Sequence, residues 1–198
     1  MVENKKMGGL DRRDAVKTLL EERGDMLIVT GLGSPSYDVM AAGDHDNNYY
    51  LWAAMGSAAT VGLGIANTQP DRKVLVVTGD GEMLMGIGAL ATIAVQRPSN
   101  LSIAVLDNGH YGETGMQLSH AGKGIQLHKF ADASGFDWTA QIEDMAGVEA
   151  FRQRMHTQAS LNFVTIKVDP ENKPRVLPPR DGVYVKNRFR ASLGFAPN

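Results

Sequence analysis

Short apolar runs that stop on glycine constrain this chain more than any other feature. Met26–Thr30 (MLIVT) ends at Gly31-Leu32-Gly33, and Lys73–Thr78 (KVLVVT) ends at Gly79-Asp80-Gly81. Leu101–Leu106 (LSIAVL) ends at Asp107-Asn108-Gly109-His110-Tyr111-Gly112. Apolar runs of this length bounded by turn residues read as buried strands. Helical patterns lie around and between them: Asp11–Arg23, stopped by Gly24; the small-residue stretch Met55–Asn67; and Glu82–Gln96, closed by Pro98. Tyr49–Ala53 and Asn162–Val168 predict further strands, and His128–Ser134 and Val148–Gln158 further helices. Alternation of this kind predicts an α/β fold, a mostly parallel sheet with helices on both faces. In such sheets ligands bind outside the carboxyl ends of the strands. The glycine-rich stretches 31–33, 79–81 and 107–112 all fall there, which predicts one site.

Composition narrows the function classes. The chain has 198 residues, 43% hydrophobic and 21% charged, which favours residues 1–170 as one domain followed by a tail, 171–198. A net charge of −2 gives no electrostatic case for nucleic acid or an anionic membrane as partner. No apolar run reaches the ~18–20 residues that span a bilayer. The start, MVENKKMGGLDRRD, lacks the apolar segment of a signal peptide. Cysteine is absent, so disulfides and thiolate metal sites are excluded. A cytoplasmic location is the expectation. The tail, ENKPRVLPPRDGVYVKNRFRASLGFAPN, loses helical or strand periodicity and is expected to pack on the domain or on a partner.

Asp80 is the residue that most needs explaining. Gly79 and Gly81 permit positive φ or close approach of another group, and the amides opening the next helix are a ready phosphate site. An aspartate beside phosphate is repulsive unless a cation lies between them. Mg²⁺ wants oxygen ligands, commonly one or two from protein plus phosphate oxygens. Asp80 supplies a carboxylate and Asn108, at the end of the next strand, a neutral amide oxygen. Gly, Asp and Asn are equally the standard turn residues, so two unrelated turns account for the same letters.

The spacing of Gly79-Asp80-Gly81 and Asp107-Asn108-Gly109 across residues 82–106 resembles the GDG…NN signature of the thiamine diphosphate-dependent 2-oxo acid decarboxylase family. The resemblance implies Mg²⁺ held by Asp80, Asn108 and the main-chain carbonyl of His110. It implies thiamine diphosphate against Gly79, Gly81, Glu82, Tyr111 and Gly112. Ala53-Ala54-Met55-Gly56-Ser57 resembles the family's turn before a helix, with Met55 supporting the bent cofactor and Gly56 and Ser57 beside it. Gly33, Ser34 and Ser36 stand where the family places diphosphate contacts. Glu82 departs from the Ser or Ala more usual there. Read without the family, Met55 is as readily a core methionine.

The whole chain, through GSPS, AAMGS, GDG and LDNGHYGETGMQ, is similar to the β subunits of sulfopyruvate decarboxylases and the C-terminal domain of phosphonopyruvate decarboxylases. That likeness implies a pyrophosphate-binding (PP-type) domain active only with a partner subunit. The partner carries the pyrimidine-binding (PYR) domain and its activating glutamate, in an α₂β₂-like or larger hetero-oligomer. A 2-oxo acid is the implied substrate, the sulfopyruvate and phosphonopyruvate types with an anionic side chain among them. Glu113 and His110 are candidates for proton transfer at the reacting carbon, and Glu113 is equally readable as a solvated loop carboxylate. The basic residues of the tail, Lys173 to Arg190, are candidates to grip an anionic substrate end or the partner. Two other readings remain: a carboligase subunit resembling acetolactate synthase, and a non-catalytic cofactor-binding or regulatory protein. A dinucleotide-binding domain has only Gly31-Leu32-Gly33 in its favour, because Ser36 stands in place of the third glycine.

Overall fold

The computed structural model describes residues 8–196. Strands β1 (Leu27–Thr30), β2 (Asn48–Tyr50), β3 (Val74–Gly79), β4 (Leu101–Asp107), β7 (Trp138–Ile142) and β8 (Asn162–Lys167) form one sheet in the order β2-β1-β3-β4-β8-β7. Every pairing in it is parallel. Short β5 (His110–Tyr111) and β6 (Gln117–Leu118) pair separately as an antiparallel ribbon.

Period-two alternation splits the core. Leu27, Val29, Val74, Val76 and Ile103 face helices α3 (Ala58–Thr68), α5 (Ala89–Gln96), α6 (Leu127–Ser134) and α8 (Gly182–Ser192). Ile28, Leu75, Val77 and Ala104 face α1 (Arg12–Leu19), α2 (Ser34–Ala42) and α7 (Met145–Thr157). From β1 the chain therefore crosses by α2 on one face, and from β3 by α4 (Asp80–Met85) and α5 toward the other. Strand order reverses between β1 and β3, which opens a crevice at their carboxyl ends.

The α/β class and the parallel sheet follow the sequence reading, and four local expectations change. Glu82–Gln96 is two helices, because the chain turns at Gly86, where a Cβ would sit 2.0 Å from the Gly56 carbonyl oxygen. The loop expected over Asp107–Gln126 carries the β5–β6 ribbon and two 3₁₀ turns. Helix α2 and strand β7 have no counterpart in the sequence reading. Residues 182–192, expected to be aperiodic, form α8, capped by Asp181 accepting from the amides of Val183 and Tyr184.

Helix α8 buries Val185 and Phe189, one turn apart, against the β2 edge, with Phe189 edge-on to Tyr49 at 5.3 Å between centroids. Arg188 anchors it to Asp44 at 2.7 Å. The chain between Pro170 and Asp181 is tied to α1 and β2 on the way, Lys173 to Asp11 at 2.8 Å and the Trp52 indole to the Pro179 carbonyl at 2.7 Å. Phe189→Ala is expected to cost about 3 kcal/mol and to lower Tm by roughly 6–12 °C, read by thermal unfolding of the isolated chain. An unchanged Tm would show that α8 contributes nothing to this domain.

Candidate functional site

A cavity opens at the carboxyl ends of β1, β3 and β4. Its walls include Ser34 from α2, Met55, Gly79 to Glu82, Asn108, and His110 to Thr114. Most of the residues singled out in the sequence thus meet in one place, although they lie as far apart as Ser34 and Glu113. Gly33, Ser36, Gly56 and Ser57 are not part of its lining. Ser36 is buried, donates to the Gly31 carbonyl at 2.8 Å and shares a 2.6 Å hydrogen bond with Thr30, so its hydroxyl is turned into the fold. Ser57 donates to the Ala54 carbonyl at 2.5 Å and closes the turn before α3.

Asp80 starts α4 and is buried. Burial, with the nearby charge of Asp107 adding to it, pushes its carboxyl up to about 6 even though Ser119 donates to Oδ2. Asp107 itself points away from the cavity, accepting from the Gly109 amide at 2.9 Å and from Lys167 Nζ at 2.7 Å. Asn108 is the residue of this pair that faces the cavity. Its Oδ1 accepts from the His110 amide at 3.0 Å, and its carbonyl accepts from His110 Nδ1 at 2.7 Å. The imidazole is thereby folded onto its own turn, with Nε2 outward.

Neither flanking glycine of Asp80 uses positive φ, which corrects one of the two sequence-based reasons for them. At Gly81 the reason is close approach, by a side chain rather than a ligand: a Cβ would lie 2.5 Å from the Tyr111 ring. At Gly79 a Cβ would meet only Pro35, at 3.8 Å.

Glu82 lines the cavity, but both of its carboxylate oxygens are engaged within the chain. Its Oε1 accepts from the amides of Gly56 at 2.9 Å and Ala58 at 3.0 Å, and its Oε2 from the Thr78 hydroxyl. The carboxylate thus caps α3 from another element and pins the turn before it. That turn runs through left-handed backbone at Ala53 (φ 65°), Ala54 (57°) and Gly56 (91°). For alanine this is strained conformation, held by its surroundings. The result is Met55 projecting at the cavity wall, 40% exposed, and not a core methionine.

Sequence reasoning missed two contributors, Ser119 and Arg12, and gave a third, Arg175, only as one of the tail's basic residues. Ser119 reaches Asp80 from the β6 side. Arg175, in the tail, pairs with Glu113 at 2.9 Å and stacks over Tyr37 at 5.7 Å. Arg12, the first residue of α1, is 4% exposed and forms part of the wall. Each depends on tertiary proximity and leaves no local pattern.

The donor set suits a hard cation. Asp80 offers a buried carboxylate whose charge burial disfavours, and Asn108 a neutral amide oxygen in the same cavity. Among the described residues no three His, Cys, Asp or Glu side chains cluster, and a set of one carboxylate, one amide and one carbonyl calls for no such cluster. The opening turn of α2 adds the amide and hydroxyl of Ser34 for phosphate, since Pro35 has no N–H and the Ser36 amide donates to the Gly33 carbonyl at 3.0 Å.

An open parallel α/β sheet with a crevice at its switch point, apolar-walled with a few convergent polar groups, defines a nucleotide- or cofactor-binding class. Residues 35–168 match the family described as thiamine pyrophosphate enzyme, C-terminal TPP binding domain, and the chain belongs to that family. It is 33% identical over 186 residues to the sulfopyruvate decarboxylase subunit beta of Methanocaldococcus jannaschii, covering 92% of this chain and 96% of that one. It is 36% identical over 190 residues to the phosphonopyruvate decarboxylase of Streptomyces viridochromogenes, of which it spans 45%. The crystal structure of benzoylformate decarboxylase from Polynucleobacter necessarius superposes with a TM-score of 0.70 over 83% of this chain and 34% of that one, at 17% identity. That likeness is one of fold.

Two outcomes test the site. Asp80, with a folded pKa above that of the unfolded chain, binds protons more readily when folded. Its penalty is absent below about pH 4 and grows as pH rises through 6. In EDTA at pH 7.5, Asp80→Asn is therefore expected to melt several degrees above the wild type, with the gap closing at pH 4. A lower melting point at pH 7.5 would refute the unfavourable burial. Glu82→Ala leaves two amides without their acceptor and is expected to destabilise by about 2–4 kcal/mol in urea unfolding.

Proposed function

We propose that this chain is the diphosphate- and Mg²⁺-binding subunit of a two-subunit thiamine diphosphate-dependent decarboxylase. Its substrate is a 2-oxo acid with an anionic side chain, of the sulfopyruvate or phosphonopyruvate type. The observation that carries the reading is Asp80 and Asn108, from the ends of neighbouring parallel strands, facing one cavity. The names of the Methanocaldococcus and Streptomyces relatives support the substrate class.

In this reading Asp80, Asn108 and the His110 carbonyl hold the metal. The hydroxyl and amide of Ser34 take the diphosphate, and Met55 supports the ring system. Bound thiamine diphosphate supplies a carbon nucleophile and an electron sink for loss of CO₂. The chain's own part is positioning and the exclusion of water. Arg175 fixes Glu113 at the cavity wall, where it is placed to move a proton at the reacting carbon, and the free Nε2 of His110 is the second such group. Glu82 serves this role indirectly, by setting the turn that presents Met55.

A PYR-domain partner completes the site. Met85 (63% exposed) meets the Met55 turn across the Gly56–Gly86 contact, and Leu118 (51%) and Ile125 (41%) lie on the segment after β5. These exposed apolar side chains beside the cavity support a second subunit covering it.

Titration of thiamine diphosphate into the chain, alone and mixed with a PYR-domain subunit, tests the proposal. Binding is expected to require Mg²⁺, to tighten with the partner, and to weaken at least a hundredfold in Asp80→Ala. Binding that survives this substitution removes Asp80 from the metal site. With the partner, an aldehyde and CO₂ are the expected products, and a condensed hydroxy-keto product would make the complex a carboligase.

A further inference from the structure

We infer that Arg12 is an oxyanion-binding residue of the cavity, taking a phosphate, phosphonate or sulfonate group on the two terminal nitrogens of its guanidinium. Arg12 opens α1, far in sequence from the glycine-rich turns, yet the fold brings it to the wall beside Leu32, Ser34 and Pro35. It is 4% exposed, and its Nε donates to the equally buried Asp38 at 2.5 Å. Asp38 is the only acceptor that the described residues give it. Nη1 and Nη2 donate to no described protein atom, and they are not among the buried atoms sealed off without a partner. They therefore look onto open space, and for a side chain so enclosed that space is the cavity.

A buried guanidinium is seldom left with two forked donors unused. Asp38 fixes its plane through one nitrogen and leaves the paired edge, the one that matches two oxygens of an oxyanion. Arg13 lies 3.7 Å from the other oxygen of Asp38, so the cluster of two cations and one anion keeps a net positive charge. Three of the six tail cations, by contrast, are engaged with acids of the chain, Arg175 with Glu113, Lys173 with Asp11, and Arg188 with Asp44, and none of the six lines the cavity. Arg12 is thus the basic side chain placed to meet an anion inside the cavity.

Two anions share this chemistry: the terminal phosphate of the cofactor and the charged end of the substrate. The inference rests on the function proposed above for the identity of these anions, and on the structure alone for the site.

The test uses the full chain at low ionic strength with methylphosphonate as probe, before and after saturation with thiamine diphosphate and Mg²⁺. The variants are Arg12→Lys, which keeps the charge and loses the fork, and the double variant Arg12→Met/Asp38→Leu. The double variant removes both buried partners together, so neither charge is left unpaired. Wild type is expected to bind methylphosphonate, and both variants to bind it at least tenfold more weakly while melting as folded proteins. If saturation displaces the probe and the variants lose tenfold in thiamine diphosphate affinity, the anion is the cofactor's phosphate. If probe and cofactor bind together, with only the probe weakened in the variants, the anion is the substrate's. Equal affinities in wild type and Arg12→Lys, or no probe binding by the wild type, overturn the inference. Failure of thiamine diphosphate to bind the wild type would sink the proposed function, and the cofactor-free methylphosphonate comparison would still decide on Arg12.

Discussion

The carboxylate of Glu82 is the joint on which the site is built. It reaches from α4 to the two amides ahead of α3 and to the hydroxyl of Thr78 on β3, and so locks three segments that are distant in sequence. A buried carboxylate is tolerable only when its oxygens are satisfied, and here the partners are obligatory main-chain donors of a helix start. The turn it holds could not keep alanines at positive φ unaided. Remove the carboxylate and Met55 is no longer fixed at the cavity wall, while Gly56 and Gly86 lose the reason for their backbone contact.

Two residues earlier, Asp80 stands in the opposite condition. It shares the same short helix and is as deeply buried, but a single hydroxyl is its side-chain donor and a second carboxylate raises its energy. One acidic side chain of α4 is spent on architecture and the other is left under-compensated. The second state is the one a cation relieves, because a bound metal supplies the charge that the fold withholds. The structure thus separates a fully satisfied acid from an under-compensated one within one turn of helix, which the sequence GDGE does not do by inspection.

Much of the fold was readable because parallel strands buried on both faces are near-continuous apolar runs, and Met26–Thr30, Lys73–Thr78 and Leu101–Leu106 have that form. Strand β7 was not readable because it is the sheet edge, and its WTAQI run is half-exposed and partly polar. Helix α8 escaped because only Val185 and Phe189 mark its buried side, among arginines whose charges lie elsewhere. Asp80, Asn108, His110 and Met55 were legible as cavity residues, since strand ends and a small-residue turn announce them. Ser36 was misplaced because a helix, unseen in the sequence, starts at Ser34 and rotates the second serine inward. Ser119 and Arg12 were invisible, and Arg175 could not be told from the other tail cations, since no spacing rule links them to the strands they approach.

The tail shows how this tertiary information changes a functional argument. A run of basic residues after Pro170 invites a partner or substrate role, yet the structure returns three of those six charges, Lys173, Arg175 and Arg188, to the chain's own acids. What it gains is rigidity near the cavity. Arg175 lies flat over Tyr37 and holds Glu113, and Asp11, the N-cap of α1, is held in turn by Lys173. The segment thus braces both α1, which carries Arg12, and the 3₁₀ turn that carries Glu113. These surface pairs are individually weak, so their effect lies in restraint: they narrow the positions open to two cavity-wall residues rather than adding much stability. A tail that reads as a solvated, basic extension is, in this fold, a brace running along one side of the site.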